Sequence, residues 1–315
     1  MSPPLTMAAE RTNAHSLTAP QVLGAPCCAW AAGAELGEGT LWSVRRQALY
    51  WVDILGHQLH RYHPATQARD SWAFDEEISA VAECAGMIRA DLLVTLRRGF
   101  AFFNPDTGSL VRISQPELER TGNRFNDGKC DAQGRFWAGT MDFACQLPTG
   151  ALYCLDAQLN CTRHDDGYVV TNGPTWSPDG RTMYFNDTVP SRLYAFDVDP
   201  ATGALSNKRR WLQFAPEDGH PDGMTTDAAG RLWIAHWGAA CVTCHHPVTA
   251  AELARITLPT RHITNCAFGG ADLRTLFISS ASSGLDDAQL MAEPLAGALF
   301  SVEMDSPGLP AFTFG

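Results

Sequence analysis

The sequence predicts an all-β protein: a six-bladed β-propeller with four-stranded antiparallel blades around a central channel. Three observations lead to this fold class, namely an internal repeat, a second motif that alternates with it, and turn residues suited to hairpins. Composition agrees, since 45% of the 315 residues are hydrophobic and only 18% are charged. Such a composition is typical of a globular protein with a large core.

The first observation is a unit in which a polar residue beside a glycine or another small residue precedes a turn and an aromatic, apolar strand. The copy near Ser79 is degenerate, but it keeps the strand-turn-strand pattern. Six copies of one unit predict a ring of six similar sheets. The copies begin at or near Glu38, Ser79, Asn126, Asn172, Asp222 and Asn265.

The second observation is a strand that runs into a turn after each copy, as in LHRYHPAT, FAFFNPDTG and LYAFDVDPATG. These motifs recur at about 40 to 57 residues, the spacing of a four-stranded blade. The third is turn chemistry: SPDGR, DAQGR and DAAGR place Asp and Gly where hairpins need positive φ. Two unrelated β-sandwich domains would not explain this alternation along the whole chain.

The repeat also sets the predicted domain limits. Residues 1–20 are rich in Ala, Thr, Pro and Ser without periodicity, which predicts a flexible N-terminal extension. Residues 21–315 form a single propeller domain in this interpretation. A propeller ring must close, and the stretch near Cys27 to Ala31 is expected to be the outer strand of the last blade.

Charge and hydropathy exclude several classes of partner. A net charge of -11 without a dense Lys/Arg stripe disfavours nucleic acid. No apolar run approaches the length of a membrane helix, and the first residues lack the apolar core of a signal peptide, so we expect a soluble cytoplasmic protein. The ten cysteines are expected to be reduced. The CVTCHH segment, Cys241 to His246, resembles a zinc motif but has strand-like alternation and no second pair, which favours a structural role.

Polar residues at one repeat position predict a metal site. In a propeller, equivalent positions of the innermost strands face one another across the channel. Here they carry Glu38, Asn126, Asn172 and Asp222. Burying two carboxylates and two amides costs several kcal/mol unless they are paired or bind a cation. Each Asn-Gly or Asp-Gly pair taken alone is more typical of a turn, but their joint occurrence favours a site for one divalent cation.

Other catalytic motifs are missing from the sequence, which has no G-x-S-x-G elbow, no H-E-x-x-H helix and no Walker-type loop. The segment ISSASSG, from Ile278, has no recognisable histidine partner. Nucleophilic catalysis is therefore not supported by sequence.

Five segments resemble the family of regucalcin (senescence marker protein), gluconolactonase and luciferin-regenerating enzyme, most closely its bacterial sugar-lactonases. They span most of the chain from Leu36 to Asp305 and read LGEGTLW, NRFNDGKCDAQGRFWAGTM, TNGPTWSPDGRTMYFNDT, PDGMTTDAAGRLWIAHWG and FGGADLRTLFISSA. The resemblance implies a six-bladed propeller with one divalent ion held by Glu38, Asn172 and Asp222.

The same resemblance implies that Arg124 and Asn126 contact substrate hydroxyls or complete the metal environment, with Asp127 beside them as a further substrate-binding candidate. The sequence departs from the family at one place. Regucalcin-like members carry an acidic residue shortly after the GTM motif, whereas the aligned position here falls near Ala144, with Asp142 close by.

These residues predict metal-dependent hydrolysis of a sugar lactone, such as gluconolactone or xylonolactone, to the aldonic acid. The cation would polarise the carbonyl, and Asp222 would serve as both ligand and general base. Hard oxygen ligands place Ca²⁺ first, with Zn²⁺, Fe²⁺, Mn²⁺ or Mg²⁺ as alternatives. Three other functions stay open: a phosphotriester or other ester hydrolase, a non-catalytic calcium-binding regulatory protein, and an interaction scaffold.

Overall fold

The computed structural model describes residues 17–86 and 90–315. Most of the predicted N-terminal extension, residues 1–16, therefore lies outside the described residues. Residues 17–21 precede the first strand, β1 (Val22–Trp30), without regular structure. All six predicted repeats are found as four-stranded antiparallel sheets.

The first three blades follow one another along the chain, each ordered from its innermost to its outermost strand. Blade 1 consists of β2 (Gly37–Ser43), β3 (Ala48–Asp53), β4 (Gln58–His63) and β5 (Ala68–Ala73). Blade 2 consists of β6 (Ile78–Glu83), β7 (Leu92–Leu96), β8 (Gly99–Phe103) and β9 (Leu110–Ser114). Blade 3 consists of β10 (Asn123–Cys130), β11 (Phe136–Asp142), β12 (Gly150–Leu155) and β13 (Cys161–Tyr168).

Two further blades repeat this order, and the sixth closes the ring. Blade 4 consists of β14 (Thr171–Trp176), β15 (Thr182–Asp187), β16 (Arg192–Val198) and β17 (Leu205–Gln213). Blade 5 consists of β18 (His220–Thr226), β19 (Leu232–Trp237), β20 (Cys241–His245) and β21 (Glu252–Thr257). Blade 6 consists of β22 (Ile263–Gly269), β23 (Thr275–Ser280), β24 (Leu299–Met304) and the N-terminal strand β1.

The ring closes through β1, which pairs antiparallel with β24, Cys28 lying opposite Phe300. The expected outer strand near Cys27 to Ala31 is thus confirmed, although it begins earlier, at Val22. The C-terminal tail adds a second tie, since Gly308 bridges to Asp227 in blade 5 and Phe314 bridges to Cys84 beside blade 2. Both chain ends therefore bind distant parts of the ring together.

Burial decreases from the axis to the rim of each blade. The inner strands β2, β14 and β22 are buried along their whole length, whereas the outer strands β5 and β9 are largely exposed. Six hydrophobic clusters fill the spaces between neighbouring blades. Aromatic residues of the repeat lie in these clusters, and three of them, Trp51, Trp137 and Trp233, have no exposed surface.

Helix is scarce in the described part of the chain, which has one α-helix, α1 (Asp287–Ala292), and one 3-10 turn, Pro216–Asp218. No helix there is long and apolar enough to span a membrane. All ten cysteines lie within the described ranges and are free thiols.

Candidate active site

The inner strands begin at one end of the channel, here called the top end, and their first residues form the candidate site. Pairing with the second strand shifts register near this end in all six blades, for example between Glu38 and Leu41 and between Asn172 and Thr175. Such a β-bulge re-aims side chains and is frequent beside active sites. Four polar residues of the repeat, Glu38, Asn126, Asn172 and Asp222, line a common cavity at this end.

Glycines lie at the bulges of blades 1, 4 and 5. Gly39 has a φ of +57°, which disfavours other residues. A side chain at Gly223 would collide with the amide of Asn265. The Asn-Gly and Asp-Gly pairs at 172 and 222 lie inside β14 and β18 rather than in hairpin turns. Their repetition therefore belongs to the geometry of the site.

Two carboxyl groups, from Glu38 in β2 and Asp222 in β18, meet at the floor of the cavity. Both side chains line the cavity, and the residues are 3% and 6% exposed. Burial and then the nearby charge of Asp127 raise the pKa of Glu38 to about 7. Burial and the Glu38 carboxyl raise the pKa of Asp222 well above its usual range. Two buried acids this close hold a proton unless a cation joins them.

The two amides of the predicted site are linked by hydrogen bonds. Asn126 Nδ2 donates to Asn172 Oδ1 at 3.0 Å and to the Thr171 carbonyl at 2.6 Å. Arg124 Nη1 donates to Asn126 Oδ1 at 2.6 Å, and Asn172 Nδ2 donates to Thr188 Oγ1 at 2.8 Å. These bonds fix the orientation of both amides, and they leave the remaining Arg124 donors for a bound molecule.

Asp127 is the one predicted site residue that does not line the cavity. One of its carboxylate oxygens accepts from Gly128 N at 2.8 Å, and the other accepts from Gly173 N at 3.0 Å and from Asn265 Nδ2 at 3.2 Å. Burial raises the pKa of Asp127, and the positive charge of Lys129 partly offsets this effect. Asp127 therefore supports the floor from below, through Gly173 and Asn265.

The cavity at the top end has a volume of about 360 Å³. Its floor is polar and brings together Glu38, Arg124, Asn126, Asn172 and Asp222. This size is within the range of small-molecule sites, which are concave and carry a few precisely placed polar groups. Five of the six residues predicted from sequence thus share one cavity.

Several supporting residues were not predicted. Asn265 donates to Glu38 Oε2 at 3.0 Å as well as to Asp127, so it links two acids. Asn265 could have been predicted from the sequence, because it opens the sixth copy of the repeat. Asn186 donates to the Asp222 carbonyl at 2.7 Å, and its own Oδ1 is buried without a partner. Asn186 is the penultimate residue of β15, outside the repeat position that guided the prediction.

The floor fits a divalent cation by the chemistry of its donors. Glu38, Asn172 and Asp222 offer oxygen atoms, the ligand type that hard cations prefer. The raised pKa values of the two acids reflect a buried excess of negative charge, which a cation would relieve. Within residues 17–86 and 90–315, no three His, Cys, Asp or Glu side chains form a ligand group, so an amide would have to complete the set.

The CVTCHH segment is satisfied without a metal. His245 bonds to the Ala250 carbonyl and to Thr243 Oγ1, both at 2.9 Å, and His246 Nδ1 accepts from Val248 N at 3.1 Å. Cys244 packs in the cluster between blades 5 and 6. This arrangement agrees with the predicted structural role.

Comparison with known proteins gives the family. The model of the SMP-30/Gluconolactonase/LRE-like region matches residues 36–282, which include every predicted site residue. The chain belongs to this family. The resemblance found in the five sequence segments is thereby confirmed, and with it the propeller fold.

Individual family members match over nearly the whole chain. A pentonolactonase, XacC, of Haloferax volcanii is 34% identical over 285 residues, covering 88% of this chain and 94% of the relative. Regucalcin of Danio rerio is also 34% identical and covers 89% of this chain and 95% of its own. A solved structure of a calcium-binding protein, regucalcin, from Agrobacterium tumefaciens superposes with a TM-score of 0.87 at 28% identity, covering 91% of this chain and 96% of that one.

Proposed function

We propose that the protein hydrolyses the ring ester of a sugar lactone, with one divalent cation bound at the floor of the cavity. The observation that carries the proposal is the meeting of Glu38, Asn172 and Asp222 beside Arg124 and Asn126 in one cavity of about 360 Å³. The pentonolactonase among the relatives supports this reaction class.

Glu38, Asn172 and Asp222 would hold the cation, and Ca²⁺ is our first choice because the donors are all oxygens. Zn²⁺, Fe²⁺, Mn²⁺ and Mg²⁺ remain in the proposal as alternatives. When bound, the cation supplies a Lewis acid for a carbonyl oxygen. The relative described as a calcium-binding protein, regucalcin, supports a divalent ion.

Asp222 would be the general base. Its carboxylate lies on the cavity floor beside Glu38, where a water that attacks a lactone carbonyl must lose a proton. The hydroxyl adds to the carbonyl carbon, the bond from that carbon to the ring oxygen breaks, and the ring oxygen takes up a proton. The product is the open aldonic acid.

Arg124 and Asn126 would orient the substrate. Both line the cavity and are more than nine-tenths buried, and the Arg124–Asn126 hydrogen bond fixes their relative positions. The guanidinium of Arg124 can donate to hydroxyl and ring oxygens, and Asn126, whose two N–H groups are already engaged, can accept from a substrate hydroxyl through Oδ1. Asp127 would contribute to substrate binding indirectly, since its carboxylate holds Gly173 and Asn265 beneath the floor.

The test is acid release from gluconolactone, xylonolactone and arabinonolactone, measured with chelated and then metal-restored protein. We expect Asp222→Asn to lower the metal-dependent rate by at least about 100-fold, because the base is lost and the remaining amide oxygen is an uncharged ligand. Asp197→Asn, at an exposed ion pair with Arg209, is the matched control and should retain full activity. Substantial turnover by Asp222→Asn with metal still bound would contradict the assigned base.

A calcium-binding protein without turnover is the second candidate, favoured by the regucalcin relatives. It predicts metal binding by calorimetry and no acceleration of any lactone. A phosphotriester hydrolase is separated by the same assay with a phosphotriester as substrate. Binding of no metal at all would favour an interaction scaffold.

A further inference from the structure

The cavity changes chemical character between its floor and its rim. The floor residues Glu38, Asn172 and Asp222 are at most 6% exposed, whereas Phe143 and Val189 at the wall are 39% and 42% exposed. Leu55 and Trp237, which are half-buried, also line the cavity. Apolar side chains from blades 1, 3, 4 and 5 are thus more exposed to solvent than the polar floor. We call Leu55, Phe143, Val189 and Trp237 the apolar rim.

Carboxylates are confined to the floor. Among the described residues that line the cavity, Glu38 and Asp222 are the carboxylates. Near the position where the family pattern places an acid, the chain has Ala144 and the cavity-lining Cys145. The nearby Asp142 accepts from Gln146 N and Leu147 N, both at 2.9 Å, and is thereby committed to its own loop.

Polar groups higher in the cavity lie on one side only. Thr188, His220 and Ser283 line it from blades 4, 5 and 6. Thr188 Oγ1 accepts from Asn172, and His220 Nδ1 lies 3.2 Å from the Thr188 carbonyl and 3.0 Å from Ser191 Oγ. The Ser283 hydroxyl and His220 Nε2 remain available on this side, whereas blades 1 and 3 line the opposite wall above the floor with apolar side chains and Cys145.

The rim is held in place by contacts outside the cavity. Trp237 stacks on His262 with ring centroids 3.9 Å apart and planes 8° from parallel. Phe143 donates its backbone N–H to Gly122 O at 2.8 Å, and its ring lies 5.0 Å from the Arg97 guanidinium carbon. Aromatic rings fixed in this way form a lasting apolar surface.

We infer that the preferred substrates are lactones whose end remote from the carbonyl is deoxygenated, such as 6-deoxyaldonolactones. This inference rests on the proposed function. With the carbonyl at the floor, the remote carbons reach the apolar rim. A hydroxyl there loses hydration without gaining a partner, whereas a methyl group gains from burial.

The test compares two lactones that differ by this one hydroxyl, L-rhamnono-1,4-lactone and L-mannono-1,4-lactone. We expect kcat/KM to be about 10- to 100-fold higher for the 6-deoxy compound, the range by which an apolar pocket rejects an added hydroxyl. Equal or lower kcat/KM for the 6-deoxy lactone, with both hydrolysed, would overturn the inference and leave the proposed function standing. Hydrolysis of neither lactone by the metal-loaded protein would overturn both.

Isosteric variants locate the effect. Val189→Thr places a hydroxyl in the apolar rim and should lower the deoxy preference roughly fivefold. Val248→Thr makes the same change at a residue that is 66% exposed and does not line the cavity, so the preference should stay as in the natural protein. An unchanged preference in Val189→Thr, or an equal loss in Val248→Thr, would contradict the role of the rim.

Discussion

At the scale of single residues, the floor of the cavity depends on neighbours that do not reach the substrate. Asn186 is fully buried and donates to the carbonyl of Asp222. Across the β14–β15 ladder it is paired with Asn172. It therefore positions groups from two blades at once. Outer partners of this kind commonly affect metal affinity nearly as strongly as the ligands do.

Asn186→Leu should weaken divalent-metal binding by about 10-fold or more, because the Asp222 backbone loses its donor. The measurement is the metal Kd by titration calorimetry, with circular dichroism to confirm folding. Asn160→Leu, in an exposed turn, is the control. Unchanged metal affinity in a folded Asn186→Leu protein would show that Asp222 is held by other contacts.

His60 makes folding sensitive to acid. Its ring packs 5.0 Å from Trp30 and 4.6 Å from Trp51, and burial lowers the pKa of His60 to about 4. An unfolded histidine titrates near 6.5, so between these values the unfolded chain binds more protons. His60 therefore lowers the free energy of unfolding as the pH falls below 6.5, by as much as about 2 kcal/mol at pH 5.

The check is urea unfolding at pH 7 and pH 5. His60→Gln should lose less stability over this interval than the natural protein. Gln158→Ala, at an exposed position in the turn after β12, removes no titrating group and should keep the natural pH dependence. The same loss of stability in His60→Gln and in the natural protein would refute the assignment.

At the scale of elements, blades 3 and 5 each contain a buried Asp-Arg-Trp cluster at the turn after the inner strand. Asp227 accepts from Arg231 Nε at 2.7 Å and from Trp233 Nε1 at 3.0 Å. Asp131 makes the same bonds to Arg135 and Trp137 in blade 3. The repeated D-x-x-G-R-x-W pattern thus encodes an ion pair that ties the turn to the second strand.

Asp227→Ala should lower the free energy of unfolding by about 3–5 kcal/mol, because it leaves the buried Arg231 unpaired. Arg231 and Asp227 have side chains only 5% and 0% exposed. Asp197→Ala, at an exposed ion pair, should leave the free energy of unfolding nearly unchanged. Denaturant unfolding of both variants checks this, and a similar small cost at both positions would contradict the prediction.

The blade pattern explains what sequence could predict. The repeat predicts the strands. It also predicts that Glu38, Asn172 and Asp222, at one position of the inner strands, lie together, and all three line one cavity. Asp127 is a substrate-binding candidate by sequence because it follows Asn126, but the side chains of adjacent strand residues point to opposite faces of the sheet. Phe143 was not predicted, because loops between second and third strands differ from blade to blade and carry no repeat. Trp237 ends β19 inside a repeat copy, but the site prediction considered only the polar residues of the inner strands.

At the scale of the whole molecule, stability depends on how the ring is closed. Blade 6 takes its outer strand from the other end of the chain, β1. Without β1, strand β24 becomes an unpaired edge, and the apolar cluster between blades 6 and 1 loses Ala29 and its neighbour Trp30. Exposed edges and apolar surface favour aggregation.

Deletion of residues 1–30 should therefore lower the thermal midpoint by several degrees and promote aggregation, as seen by light scattering during heating. Deletion of residues 1–16, which keeps β1, should leave the midpoint close to that of the full chain. Equal midpoints for the two truncated proteins would mean that β1 adds little to ring closure.

The bulge shared by all six inner strands has a consequence for the evolution of new activities. Because the backbone forms the bulge, each blade has one equivalent position near the axis. A single substitution changes the side chain at that position. In blade 2 this position is Ser79, which is buried and whose hydroxyl is hydrogen-bonded to Thr95 Oγ1 at 2.8 Å. Chemistry on this scaffold can thus diverge one blade at a time, without remodelling of any loop.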